Sequence, residues 1–161
     1  MKTRLYSIFF RTLSFAGIVF IVGSCGSNTQ APATEEAPVA EVITDTKAPS
    51  NSKGVGNYTD VKLGEIDAAK ADLGKAVFAT KCTTCHKVTD EKFVGPGLSG
   101  ITKRRTPEWI LNMVTNPELM IKSDPLAKKL FEEILSPMAN QNISDEEARN
   151  ILEYLRQNDS K

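Results

Sequence analysis

Two thiols three positions apart, followed at once by an imidazole, stand in Cys82-Thr83-Thr84-Cys85-His86, and His86 is the only histidine among the chain's 161 residues. Within one helical turn, two such thiols can form thioethers with the two vinyl groups of one haem. The next residue is then held where a ring nitrogen can bind the iron. The spacing therefore predicts one covalent haem c, with Cys82 and Cys85 as attachment points and His86 as an iron ligand. A Cys-x-x-Cys pair is also half of a zinc site or a thioredoxin-like dithiol. Structural zinc needs four ligands, and the chain offers Cys82, Cys85, His86 and at best Cys25. A thioredoxin-like pair sits between a strand and a helix, yet the residues before Cys82 show a helical apolar period and no β-rich run.

The N-terminus points to export. Lys2, Arg4 and Arg11 flank a ten-residue apolar run, Leu13 to Val22. A helix of that length falls short of a hydrocarbon core of about 30 Å, so residues 1–24 read as a signal peptide. Val22-Gly23-Ser24-Cys25 resembles the lipobox of bacterial lipoproteins. The resemblance implies that Cys25 is lipidated after cleavage and anchors the protein to a membrane of the bacterial cell envelope, facing the periplasm or the outer surface. Each buried methylene contributes about 0.8 kcal/mol, so several acyl chains hold where one would not. The other reading is an ordinary signal peptide whose cleavage leaves a free thiol. Basic and acidic residues balance at 20 each, and Lys2, Arg4 and Arg11 leave with the leader while no acid does. The mature chain is then net negative, without the basic patch that nucleic-acid binding needs.

From Cys25 to Asn57 the chain is rich in Ala, Pro, Thr, Ser, Glu and Gly without apolar periodicity, the pattern of a flexible linker. The folded domain is predicted over residues 58–161, where caps mark four helices. One runs from Ala68 to Lys81 after Asp67, with Leu73, Val77 and Phe78 on its apolar face, and delivers Cys82. A second starts at Thr106-Pro107-Glu108 and stops before Asn116-Pro117. A third starts at Asp124-Pro125 and stops before Pro137. The last opens with the capping box of Ser144 and Glu147 and runs to about Gln157. Gly95 to Gly100 reads as loop, and no stretch alternates long enough for a sheet. The expected fold is all-α, a helical domain wrapped around one haem.

Taken together, Leu73 to Arg156 resembles the class I monohaem cytochromes c. Gly74-Lys75-Ala76-Val77-Phe78 is similar to that family's N-terminal helix and Ile151-Leu152-Glu153-Tyr154-Leu155 to its C-terminal helix. The resemblance implies that the two cross closely at Gly74, which costs about 1 kcal/mol relative to alanine inside a helix. It implies that the Pro96 carbonyl orients His86 and that Leu98 packs on the haem. A second histidine being absent, the sixth position is left to Met113, Met120, Met138, a lysine, water or nothing. Met113 reads as core packing within its helix. Met138 follows Ser136-Pro137 and precedes the capped last helix, as the axial methionine does in the family, and is favoured over Met120.

A haem ligated by histidine and methionine suits outer-sphere electron transfer, without catalysis. The expected function is that of a membrane-tethered periplasmic carrier shuttling single electrons between respiratory proteins. A membrane quinol-oxidising complex is the candidate donor and a periplasmic reductase or oxidase the acceptor. Arg104-Arg105-Thr106-Pro107-Glu108-Trp109 together with Ser136 to Asn142 resembles lipoprotein cytochromes of anaerobic respiration, which puts nitrous oxide reductase among the candidates. Lys75, Lys81, Lys87 and Lys92 are either steering charges around the haem edge or ordinary solvated lysines. The alternatives are a haem subunit of a larger oxidoreductase and a ligand-binding haem protein with a displaceable sixth ligand.

Overall fold

Helix caps lay out the domain. The computed structural model describes residues 43–161, so the signal peptide, Cys25 and the first part of the expected linker lie outside the described residues. Helix α1 (Ala68–Lys81) starts at Asp67, whose carboxylate accepts from the Lys70 N–H at 3.1 Å. Helix α3 (Pro107–Thr115) starts at Thr106 and α5 (Pro125–Ile134) at Asp124, each with proline in the first helical position. Helix α6 (Asp145–Asp159) opens on a complete capping box between Ser144 and Glu147. Side-chain caps of this kind contribute typically about 1 kcal/mol each. No strand occurs among the described residues, and the fold is all-α.

Two further helices escaped the sequence reading. Helix α2 (Ile101–Arg104) has no side-chain cap from its own neighbourhood, and Gly100 before it is left-handed at φ 68°. Its free N–H groups are taken by Asp159 instead, which accepts from Gly100 at 2.8 Å and Thr102 at 2.9 Å. Helix α4 (Pro117–Ser123) begins where α3 ends, because Asn116 closes one helix and caps the next by accepting from the Leu119 N–H.

The crossing of α1 and α6 forms the centre of the domain. A Cβ on Gly74 would sit inside the Asn150 carbonyl, so glycine is what lets the two backbones touch. That approach sets the buried face of α1 to Ala71, Gly74 and Phe78, with the Phe78 and Tyr154 rings 5.4 Å apart. Leu73, expected on the apolar face, is 55% exposed. It lies one residue, about 100° of helix, away from the contact at Gly74. On α6, Glu153 is fully buried but paired with both Arg149 and Arg156.

The packed domain also begins earlier than Tyr58, which corrects the expected linker boundary at residue 57. Ser50 N–H donates to the Arg104 carbonyl at 2.9 Å, and Thr106 Oγ1 to the Ser52 carbonyl at 2.7 Å. Asn112, 1% exposed, holds the carbonyls of Lys53 and Tyr58 with its amide nitrogen and accepts from the Tyr58 N–H. Gly54, left-handed at φ 70°, lies against Met120 and Trp109, where a Cβ would come within 2.6 Å of the Met120 methyl. A Ser- and Gly-rich stretch lacks an apolar face of its own. It is nonetheless held, because buried side chains elsewhere satisfy its backbone.

Candidate haem site

The C-terminal end of α1 delivers the attachment motif. Cys82 is the C-cap, donating its N–H to the Phe78 carbonyl, and its own carbonyl accepts from Cys85 at 3.0 Å and His86 at 2.9 Å. The five residues therefore form one tight turn with both thiols and the imidazole on a short arc. The loop over 93–99 runs back along this turn. Gly95 donates to the Cys85 carbonyl at 2.8 Å, Leu98 to that of Lys87 at 2.9 Å and Ser99 to that of Thr89 at 3.2 Å.

That clamp brings Pro96 to His86, with the Pro96 carbonyl 2.9 Å from Nδ1. A carbonyl can only accept, so Nδ1 carries the proton and the neutral ring keeps its lone pair on Nε2, the atom left for a metal. Gly95 makes the approach possible, a role the sequence reading missed. A Cβ there would lie 2.5 Å from Cε1 of the imidazole. Gly-Pro-Gly was legible as a loop; which glycine faces the ring was not.

A cavity of about 710 Å³ opens beside this turn. Cys82, Cys85 and His86 line it together with Pro96 and Leu98 from the loop, and with Met138 from the segment between α5 and α6. Apolar side chains of α3, α5 and α6, among them Ile110, Leu130, Ile151 and Leu155, complete the lining. Volume and lining are those of a cofactor pocket, for which roughly 300–1,000 Å³ is usual. The residues present fit a haem: two thiols within one turn, an imidazole with a fixed tautomer, and an apolar chamber around them.

The three methionine candidates separate. Met120 is fully buried in α4, its sulfur accepting from the Val55 N–H at 3.1 Å, and it takes no part in the cavity lining. Met113 and Met138 both line the cavity, Met113 from the rigid α3 and Met138 from a loop. Of the lysines, Lys81 is paired with Glu147 and Lys87 with Glu91, so neither is a free steering charge.

The competing chemistries of the thiols lose ground on the same geometry. Burial pushes the Cys82 thiol up to about 11, the opposite of the lowered value that makes a redox dithiol reactive. No group of three or more metal-ligating side chains is placed to hold an ion among the described residues.

Comparison with known proteins places these features in a family. The family model for cytochrome c matches residues 71–159, from α1 through α6. A cytochrome c from Rhodothermus marinus is 47% identical and superposes with a TM-score of 0.63, covering 65% of this chain and 90% of its own length. An engineered cytochrome c from the same organism, bound to a carbene intermediate, is also 47% identical, with a TM-score of 0.61 over 66% of this chain and 92% of its own. A cytochrome c-553-like protein of Synechocystis sp. is 32% identical over 59 residues, 35% of this chain. The chain spans about half the length of that relative, 56% of it. Because the attachment turn and the α1–α6 crossing fall inside the matched region, and the cavity opens beside that turn, the chain belongs to the cytochrome c family and carries haem c covalently.

Proposed function

We propose that the protein is a single-electron carrier in which His86 and Met138 are the axial ligands and Cys82 and Cys85 the thioether anchors. When bound, haem supplies reversible one-electron chemistry at iron without bond making to a substrate. The chain's own part is positional. The observation that carries the reading is the 2.9 Å contact of His86 Nδ1 with the Pro96 carbonyl, in a cavity that also holds both thiols and Met138. Pro96 fixes the ring, Leu98 lines the apolar chamber, and that apolar lining would keep water from a bound haem. With His86 and Met138 both holding the iron, no position would be left for oxygen or peroxide, which favours transfer over catalysis. Anaerobic titration of the purified holoprotein is expected to show one reversible one-electron step, with no carbon monoxide binding in the reduced state. Ready carbon monoxide binding by the wild type would sink the carrier reading.

The segment around Met138 gives the ligand-binding alternative its one specific support. Leu135, Ser136 and Pro137 are exposed, and Gln141 donates to the Ala139 carbonyl and Asn142 N–H to the Asn140 side chain, both within that loop. A sulfur on such a segment is easier to displace than one on a helix, and an engineered relative has a carbene intermediate bound.

The cellular setting follows from the N-terminus. Cys25 as the lipidated residue tethers the domain to the cell envelope, where its partners are redox proteins: a quinol-oxidising membrane complex or another donor, and a periplasmic reductase or oxidase, nitrous oxide reductase among them. Cys25→Ser is expected to release the mature protein from membranes or to block its processing. A Cys25→Ser protein that is still processed and still fractionates with lipid refutes the anchor.

A further inference from the structure

Helix α5 leads into the segment that carries Met138, and its two ends are held differently. At the N-terminal end Asp124, 2% exposed, accepts from Trp109 Nε1 at 3.1 Å, from the Ala127 N–H at 2.8 Å and from Ser52 Oγ at 3.1 Å. Leu126 and Ala127, in its first turn, are the residues this helix buries. The second half, from Lys128 to Ile134, buries none, and its Leu130, Phe131 and Ile134 line the haem cavity. Among the described helices, α5 packs extensively on α4 alone. Among the described residues, one side-chain hydrogen bond reaches that second half from outside the helix: Thr46 Oγ1 donates to Glu133 Oε2 at 2.6 Å. Two residues further on, Leu135 closes the helix at φ 59° and is 81% exposed. That left-handed region suits glycine, so a leucine there is strained and persists only where its surroundings hold it.

Thr46 is a fixed point because its own surroundings are held. It is buried, at 7% exposure, and its carbonyl accepts from Arg105 Nη2. The Ala48 carbonyl accepts from Arg105 Nη1 at 2.7 Å, and the Ser50 N–H donates to the Arg104 carbonyl at 2.9 Å. Segment 46–52 therefore runs from the junction of α2 and α3 to both ends of α5. At Asp124 it adds to a bond that α3 already makes. At Glu133 it stands alone.

We propose that Thr46 and Glu133 are positioning residues for the sixth iron ligand, and that segment 46–52 is a strap holding the Met138 side of the cavity closed. The proposal deepens the reading of Met138 as that ligand and rests on it. A hydroxyl donating to a carboxylate makes a short, strong bond, and this one pins the last turn of α5. That turn sets the direction in which the strained Leu135 sends the chain toward Met138. With the bond gone, the turn keeps only apolar contacts, and the sulfur is free to leave the cavity wall. Thr46 lies upstream of residue 71, where the family match begins, so the fastening is not part of the matched frame.

The test titrates the oxidised holoprotein with free imidazole, which competes with the sulfur for iron, and follows loss of the long-wavelength band of thioether ligation. Thr46→Val and Glu133→Ala are each expected to raise the apparent imidazole affinity about tenfold, the order that one hydrogen bond to a charged group contributes. The double variant is expected to go no further than either single one, because both remove the same bond. Thr46→Ser, which keeps the hydroxyl, is expected to behave as the wild type. Ser52→Ala removes a hydrogen bond at the other end of α5, where Trp109 still holds Asp124, and is expected to leave the imidazole affinity unchanged. Unchanged affinity in both Thr46→Val and Glu133→Ala overturns the proposal. An equal rise in Ser52→Ala overturns it too, since the effect is then one of general loosening. Absence of the long-wavelength band from the wild type, or its survival in Met138→Ala, is a separate failure, of the Met138 reading itself.

Discussion

Extraction of the wild-type protein with acidified acetone is expected to leave haem on the polypeptide, and extraction of the Cys82→Ala/Cys85→Ala double variant to remove all of it. Acid breaks the bonds from iron to its axial ligands and leaves thioethers intact, so the treatment reports attachment alone. The geometry predicts that each single variant retains one bond. Cys82 closes α1 and Cys85 donates its N–H back to the Cys82 carbonyl at 3.0 Å, so each thiol is placed by backbone bonds that the other's side chain does not supply. Stability is expected to fall steeply in the double variant, because a cavity of about 710 Å³ in so small a domain then depends on an unanchored group. Loss of all haem from the wild type under the same conditions would remove the basis for the site.

Replacing Met138 carries the next largest effect. The oxidised wild type is expected to be low-spin with the weak long-wavelength band of iron bound to thioether sulfur. Met138→Ala is expected to abolish that band, lower the potential and admit carbon monoxide or cyanide, because a thioether favours the reduced iron and its removal leaves the position to water. Met120→Ala is the informative contrast. Met120 is fully buried against Gly54 and Trp109, outside the cavity, so its truncation is expected to cost about 2–5 kcal/mol of stability while leaving the band intact. Met113 decides the assignment from the other side, since it also lines the cavity. Loss of the band in Met113→Ala rather than Met138→Ala assigns the ligand to α3 and refutes the loop assignment.

Local chemistry was legible in the sequence wherever both partners lie within a few residues. Asp67, Thr106, Asp124 and Ser144 each accept from an N–H three positions on, and the helices read from those caps are the ones observed. The attachment motif belongs to the same class, because Cys82, Cys85 and His86 are positioned by a single turn. Gly74 was legible with the help of family resemblance, and its contact with Asn150 shows why no larger residue serves there.

What only the tertiary structure decided are the contacts between residues far apart in the chain. The cap of α2 comes from Asp159 at the other end of the domain, so nothing near Ile101 announces a helix. The segment from 43 to 57 looked like linker by composition, yet Asn112, Arg105 and Met120 take up its backbone groups. The face of α1 turned from Leu73 to Gly74 because backbone approach, not apolar content, governs the crossing. Met120 and Met138 were both sulfur candidates until packing sent one to the core and the other to the cavity wall. Helix propensity and capping act over one turn of chain and leave their mark in adjacent letters. Burial and the pairing of backbone groups across the fold depend on which surfaces meet, which is settled only when the helices pack.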